Sequence, residues 1–282
     1  MEKLLTIGMA TYDDFDGVFF TIQSLRMYQL QGIENDVEFI VIDNNPNGKH
    51  AKDVKKICNS SGTKYIPFTD KTSTFVKYEI FKHATGKYVL CLDSHVLLEQ
   101  NAIKNLLDYY KENPDTNDLI QGPLWYDDLK NISTHFDPIW RGHMFGVWAT
   151  NKITYENNKP FEIPMMGLGM FSCRKDAWQG LNKHFRGFGG EEGYIHEKFR
   201  KAGGKCICLP NIKWNHRFGR PLGVPYPNKW EDRIWNYFVG WMELTNDLNH
   251  PIFAKIYEEF GKTVSLPVIN NLFTDARILY DL

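Results

Sequence analysis

The first 120 residues alternate short apolar, β-branched runs with segments of helical period, which restricts the chain to an α/β architecture built on a parallel sheet. Leu4 to Ala10 is a strand-like run, after which Val18, Phe19, Ile22 and Leu25 recur at helical spacing. Val37 to Ile42 is a second run, closed by the turn cluster Asp43-Asn44-Asn45-Pro46-Asn47-Gly48. A Lys-rich helix with Val54 and Ile57 and a strand at Lys64-Tyr65-Ile66 follow. The next helix runs to about Ala84 and stops at Gly86, before Tyr88-Val89-Leu90-Cys91-Leu92, a buried central strand that ends at Asp93-Ser94-His95. Open α/β sheets bind ligands outside the carboxyl ends of their strands, so Thr11, Asp43 and Asp93 are expected at one crevice.

Further along, Asn101 to Tyr110 predicts a helix and Leu119 to Leu124 a strand, whereas residues 125–164 are rich in aromatics without a clean period. Glu192 to Ala202 predicts a helix that stops at Gly203-Gly204, with a strand at Lys205 to Leu209. The mixed chemistry of Asn211 to Arg217 suits a site loop rather than a core strand. From Trp230, apolar residues at 234, 237, 238, 241 and 244 follow helical spacing, more often a packing face than a binding site. The expected division is a catalytic domain over 1–225, with a nucleotide-binding half at 1–124 and an acceptor and metal half at 125–225, then a helical extension over 226–282.

Bulk properties exclude some roles. With 43% hydrophobic and 24% charged residues, the 282-residue chain has the composition of a folded protein. A formal net charge of −1 supplies no global field for nucleic acid or anionic membrane. No apolar run is long enough to cross a bilayer, and Met1-Glu2-Lys3-Leu4 lacks the pattern of a signal peptide, so a cytoplasmic location is expected. The five cysteines are scattered through apolar stretches, as reduced core thiols are. Neither a Gly-x-Gly-x-x-Gly turn nor a phosphate-binding Lys loop is present, which counts against dehydrogenases and P-loop enzymes.

Asp93 and His95 offer one oxygen and one nitrogen ligand and, on an extended backbone, face the same side. A divalent ion bridging a diphosphate needs only two or three protein ligands, and mixed donors favour Mn²⁺ over Mg²⁺. On the tripeptide alone, however, Asp93 as a turn cap beside an incidental His95 is the better reading.

The surrounding residues resemble the GT-A glycosyltransferases of family 2 and, more closely, the animal polypeptide N-acetylgalactosaminyltransferases, from about Leu4 to Pro221. Ile7-Gly8-Met9-Ala10-Thr11-Tyr12 and Phe39-Ile40-Val41-Ile42-Asp43-Asn44 match the family's first two strands, whose ends line the nucleotide pocket. Ala84-Thr85-Gly86 matches the turn before the metal motif, which puts Lys77 where the family carries a phosphate-neutralising Arg. Asp93-Ser94-His95 is similar to the Asp-x-His variant of the metal motif. The order Phe188-Gly189-Gly190-Glu191-Glu192, helix, Gly203-Gly204, strand, His216-Arg217 resembles the later signature, with Phe188 in place of Trp and Glu192 in place of Asn.

The resemblance implies a GT-A fold, a Rossmann-like, doubly wound, mostly parallel sheet with helices on both faces. It also implies a metal site of Asp93, His95 and His216, and donor contacts from Thr11, Asp43, Lys77, Asp93, Ser94, Gly189, Gly190 and Arg217. Glu191 and Glu192 then stand beside the sugar, although an acidic first turn also suits a plain helix start. The implied activity is Mn²⁺- or Mg²⁺-dependent transfer of a hexose or N-acetylhexosamine from a UDP-sugar to a glycan, protein or lipid hydroxyl. Peptide specificity is not carried over, because no segment reads as the lectin domain of that family. Two alternatives stay open: transfer to hydroxymethylated bases of viral DNA, which Lys198, Arg200, Lys201, Arg217 and Arg220 would support if they formed a basic track across one face rather than an ordinary solvated surface, and a nucleotide-sugar-binding protein without turnover. Trp140, Arg141, His143 and Trp148 are candidates for an acceptor surface, with core packing the better expectation for the tryptophans.

Overall fold

The computed structural model describes residues 3–220 and 223–282. Met1, Glu2, Pro221 and Leu222, and with them the ends of the N-terminal segment and of the resemblance, lie outside the described residues.

The chain runs β1 (Leu5–Thr11), α1 (Phe15–Tyr28), β2 (Val37–Asp43), α2 (Ala51–Ser61), β3 (Lys64–Pro67), α3 (Val76–His83), β4 (Tyr88–Asp93), β5 (Val96–Leu98) and α4 (Ala102–Glu112). It continues through β6 (Leu119–Gln121), β7 (Leu124–Trp125), β8 (Ile132–Ser133), β9 (His135–Arg141), β10 (Met144–Ala149), α5 (Lys152–Glu156), β11 (Phe161–Glu162) and β12 (Met170–Arg174). After α6 (Glu192–Lys201), β13 (Cys206–Cys208) and β14 (Trp214–His216) come the C-terminal helices α7 (Trp230–Thr245), α8 (Pro251–Phe260) and α9 (Leu266–Leu279).

Eight strands form the main sheet in the order β11-β13-β6-β12-β4-β1-β2-β3. β1 pairs in parallel with β2 and β4, opposing Thr11 to Asp43 and Ala10 to Asp93, so three strand ends reach one edge as their polar termini predict. β12 runs antiparallel to β4 and β6, which makes the sheet mixed but mostly parallel. Leu5, Ile7 and Met9 are fully buried, as are Val89, Cys91 and Leu92, and all five cysteines are buried and free. No helix among the described residues is long and apolar enough to cross a membrane.

Three local expectations need correction. Leu119 to Leu124 is not one strand: it breaks at Gly122-Pro123, where Pro has no N–H for a ladder, so that β6 stays in the main sheet and β7 joins a second one. That second sheet, β5-β14-β7-β8, takes up Trp214–His216, so the expected site loop contains a strand with its apolar anchor, Trp214, buried. Residues 94 and 95 form a turn between β4 and β5 instead of prolonging β4, because the chain must change sheets there. The unassigned stretch is largely the β9–β10 hairpin, and the C-terminal helices share one hydrophobic core with the sheet.

The sheet change requires close backbone packing. A Cβ at Gly122 would stand 2.0 Å from the carbonyl oxygen of Ile212, and the Gly122 carbonyl accepts the indole N–H of Trp214 at 2.8 Å. Gly122→Ala is therefore expected to lower stability by about 1–3 kcal/mol, the usual cost of overpacking, as read from the urea midpoint at unchanged m.

Candidate functional site

The turn after β4 and the antiparallel pairing of β14 with β5, which opposes His216 to Val96, set three side chains against one another. One ligand atom from each of Asp93, His95 and His216 lies within 4.8 Å of the others. The Nε2 atoms of the two histidines are 3.1 Å apart, and His216 Nε2 is 3.3 Å from Asp93 Oδ2. Cis ligands on an octahedral ion with bonds near 2.1 Å lie about 3 Å apart, so this spacing fits one Mn²⁺- or Mg²⁺-sized ion.

Two of the three, His95 and Asp93, are oriented from behind, while His216 Nδ1 is buried without a partner. Asp14, the N-cap of α1, accepts from His95 Nδ1 at 2.8 Å and from Arg217 at 2.6 Å, which leaves the lone pair of His95 Nε2 facing the cluster. Arg220 also donates to His95 Nε2, at 2.9 Å. Burial keeps His95 below the usual imidazole range despite the pull of Asp14, and therefore neutral. Asp93 gives Oδ1 to Lys77 at 3.0 Å and keeps Oδ2 for the cluster. Burial alone would raise its carboxyl, but the Lys77 charge, then the His216 hydrogen bond, hold it well below the carboxylate range.

These groups line a cavity of about 370 Å³ that also reaches Thr11, Asn44, Thr74, Ser94, Gly189, Glu191 and Glu192. Nine buried side-chain polar atoms of the described residues have no hydrogen-bond partner, and six of them belong to residues lining this cavity: Thr11, Asn44, Thr74, Glu191, His216 and Arg233. Such groups are costly unless a ligand or water meets them, so their clustering marks a binding site. In the same cavity, Glu191 is buried at the start of α6. Desolvation first, then the charge of Glu192, raise its carboxyl to about 8.

Asp43 stands behind the wall, not in it: its carboxylate accepts from Tyr65 Oη at 2.7 Å and from the Asn45 N–H at 3.0 Å, while the neighbouring Asn44 reaches the cavity. Lys77 is spent on Asp93 and on the Leu168 carbonyl at 2.6 Å. Gly190 lies outside the lining, and Arg217 is turned to Asp14, whereas Arg220 enters the cavity. Of the basic track, Lys198 pairs with Glu243, Arg200 with Glu197 and Arg217 with Asp14, so three of its five charges are met by carboxylates. Trp140 packs on Tyr237 and Phe260, Trp148 on Phe136 and Phe218, and of the hairpin only Met144 lines the cavity.

Sequence reasoning missed Asp14, Asn44, Thr74, Tyr226 and Arg233. Asn44 and Thr74 were within reach, one beside Asp43 and the other just ahead of α3. Tyr226 and Arg233 fell in a segment assigned outside the catalytic domain.

The sequence model of glycosyl transferase family 2 matches residues 6–180. The chain is 28% identical over 162 residues to polypeptide N-acetylgalactosaminyltransferase 11 of Xenopus tropicalis, covering 51% of this chain and 26% of that protein. It is 27% identical over 158 residues to a probable N-acetylgalactosaminyltransferase 8 of Caenorhabditis elegans, 52% of this chain and 37% of the other. Among solved structures, GalNAc-T7 with UDP, GalNAc and Mn²⁺ superposes with a TM-score of 0.72 at 16% identity, over 99% of this chain and 54% of that one. S. aureus TarS superposes with a TM-score of 0.56 at 11% identity, over 94% and 44%. The matches thus span well under two thirds of each relative's length.

Removing Lys77 would strand a largely buried carboxylate. Lys77→Met is expected to destabilise the fold by about 2–3 kcal/mol at neutral pH, less than for a fully buried pair because Asp93 keeps some solvent contact. Since Asp93 is depressed in the folded state, this contribution is present above the unfolded carboxyl value near 4 and is lost as pH falls through the folded one. Urea titrations of both proteins across pH 7 to 3 check the size and the sign.

Proposed function

The chain belongs to glycosyl transferase family 2, and on that premise we propose that it moves a hexose or N-acetylhexosamine from a UDP-sugar to an acceptor hydroxyl on a glycan, protein or lipid. What carries the proposal is one cavity lined both by the cluster Asp93, His95 and His216 and by the buried carboxylate of Glu191. Asp93, His95 and His216 would hold Mn²⁺ or Mg²⁺, with mixed oxygen and nitrogen donors favouring Mn²⁺. A divalent ion there offsets the charge on the leaving diphosphate.

The chain's own groups do the rest. Ser94 and Arg220 stand at the ligand end and serve the phosphate oxygens. Thr11, Asn44 and Thr74 present free oxygens along the wall for base and ribose, and Asp43 steadies the Asn44 turn through Asn45. Lys77 acts on phosphate only through Asp93, by holding that carboxylate in place. Glu191 stands beside the reacting sugar and takes the acceptor hydroxyl's hydrogen bond or its proton, with Glu192 lining the same cavity. Tyr226 packs against Phe188, centroids 4.0 Å apart, and both line the cavity.

Two measurements test this. Asp93→Ala and His216→Ala should each abolish Mn²⁺-enhanced UDP binding in calorimetry, and Asp14→Ala should weaken it about 10- to 100-fold as a supporting ligand. Unchanged Mn²⁺ dependence in both Ala variants of the direct ligands would remove the metal assignment.

Glu191→Gln should still bind UDP with Mn²⁺ while transfer falls by about 10²–10⁴-fold. If Glu191 takes the proton, kcat/KM must rise with pH toward a plateau above about 8, since only the ionised form accepts it. Near-normal transfer by Glu191→Gln, with the loss appearing in Glu192→Gln, would move the role to the neighbour.

A further inference from the structure

Three cations line the cavity, and they differ in what already holds them. Lys77 is paired with Asp93, and Arg220 donates to His95. Arg233, on the first turn of α7, has neither a carboxylate within 4.0 Å nor a side-chain hydrogen bond among the described residues, and its Nε is buried without an acceptor.

Its position is nonetheless built. A Cβ at Gly189, which has φ +92°, would stand 2.6 Å from Arg233 Nε and 3.0 Å from Cζ, so the guanidinium rests directly on that glycine. The ring of Trp230 lies on the guanidinium as well, 5.3 Å from Cζ to the centroid. A guanidinium held in a fixed plane, facing a cavity with its donors free, is a fork for a carboxylate or phosphate.

The diphosphate belongs beside the cation ligands, where Arg220 meets His95, while Arg233 sits on Gly189, two residues before Glu191, and its charge acts on that carboxylate. We infer that Arg233 receives an anionic group, phosphate or carboxylate, carried by the acceptor. The inference rests on the proposed sugar transfer, in which the donor sugars are uncharged, so an anion at Arg233 comes with the acceptor. The acceptor is then an acidic or phosphorylated saccharide, not a neutral one.

The test uses the protein saturated with UDP and Mn²⁺ and three probes titrated by calorimetry: glucose, glucose 6-phosphate and glucuronate. Wild type should bind one or both anionic probes at least about tenfold more tightly than glucose, the size of one charge-assisted contact. Whichever anion gains identifies the group. In Arg233→Met, which keeps the aliphatic stem, that preference should vanish, and in Arg233→Lys it should return in part. Equal binding of all three probes by wild type, or a preference that survives in Arg233→Met, overturns the inference and leaves Arg233 as a counter-charge to Glu191 and Glu192. Arg233→Gln serves if the Met variant does not fold. Loss of UDP binding in wild type itself would instead defeat the sugar-transfer proposal, so the two failures are separable.

Discussion

A carboxylate removed from water must be matched by charge and hydrogen bonds, and the centre of this molecule is organised around meeting that demand at Asp93. The residue ends β4, the strand that joins the parallel half of the sheet to the antiparallel β12. Lys77 reaches it from α3 and also ties down the Leu168 carbonyl in the segment before β12. One ammonium thereby fixes the strand end, the helix and the returning chain, and it fixes which oxygen of Asp93 is left for a cation. His216 is brought to that oxygen by the second sheet, and His95 by the turn between sheets, with Asp14 choosing its tautomer.

The glycine run shows how a sequence signature can hold more than one constraint. Gly189 and Gly190 both have positive φ, as a tight turn before α6 requires. The close approach they permit is to α7: Arg233 lies on Gly189, and Asn236 Cβ would be 3.0 Å from a Cβ at Gly190. Asn236 also donates to the carbonyls of Arg186 and Gly189. The turn that places Glu191 is thus clamped by a helix some forty residues further on, which makes the C-terminal helices part of the site's support. Trp235, Phe238 and Trp241 on that helix are buried in the common core.

How much of this was legible depended on whether the determinant was local. The strands β1, β2 and β4, the helices after them and the convergence of their ends follow from periodicity and turn chemistry, both written in consecutive residues. The cluster of Asp93, His95 and His216 was legible only through ordered resemblance, since no spacing rule links residue 95 to residue 216. The break at Gly122-Pro123 was visible as punctuation, but its consequence, a change of sheet, was not. Residues 125–164 hid because a hairpin whose two faces are both partly covered loses the strict alternation that marks a strand.

The sequence by itself determined the α/β class, the edge at which the polar strand ends meet, and the chemistry available at Asp93, His95, His216 and Glu191. Tertiary structure decided what each of these groups faces. It gave Lys77 to Asp93, set Asp43 behind the wall and Asn44 in it, turned Arg217 to Asp14 while Arg220 entered the cavity, and brought Arg233 in from a distant helix. The physical reason is range: backbone preference and hydrophobic period act over a few residues, whereas the partner of a charged side chain is set by whichever elements pack beside it, and such packing joins residues that no local pattern connects.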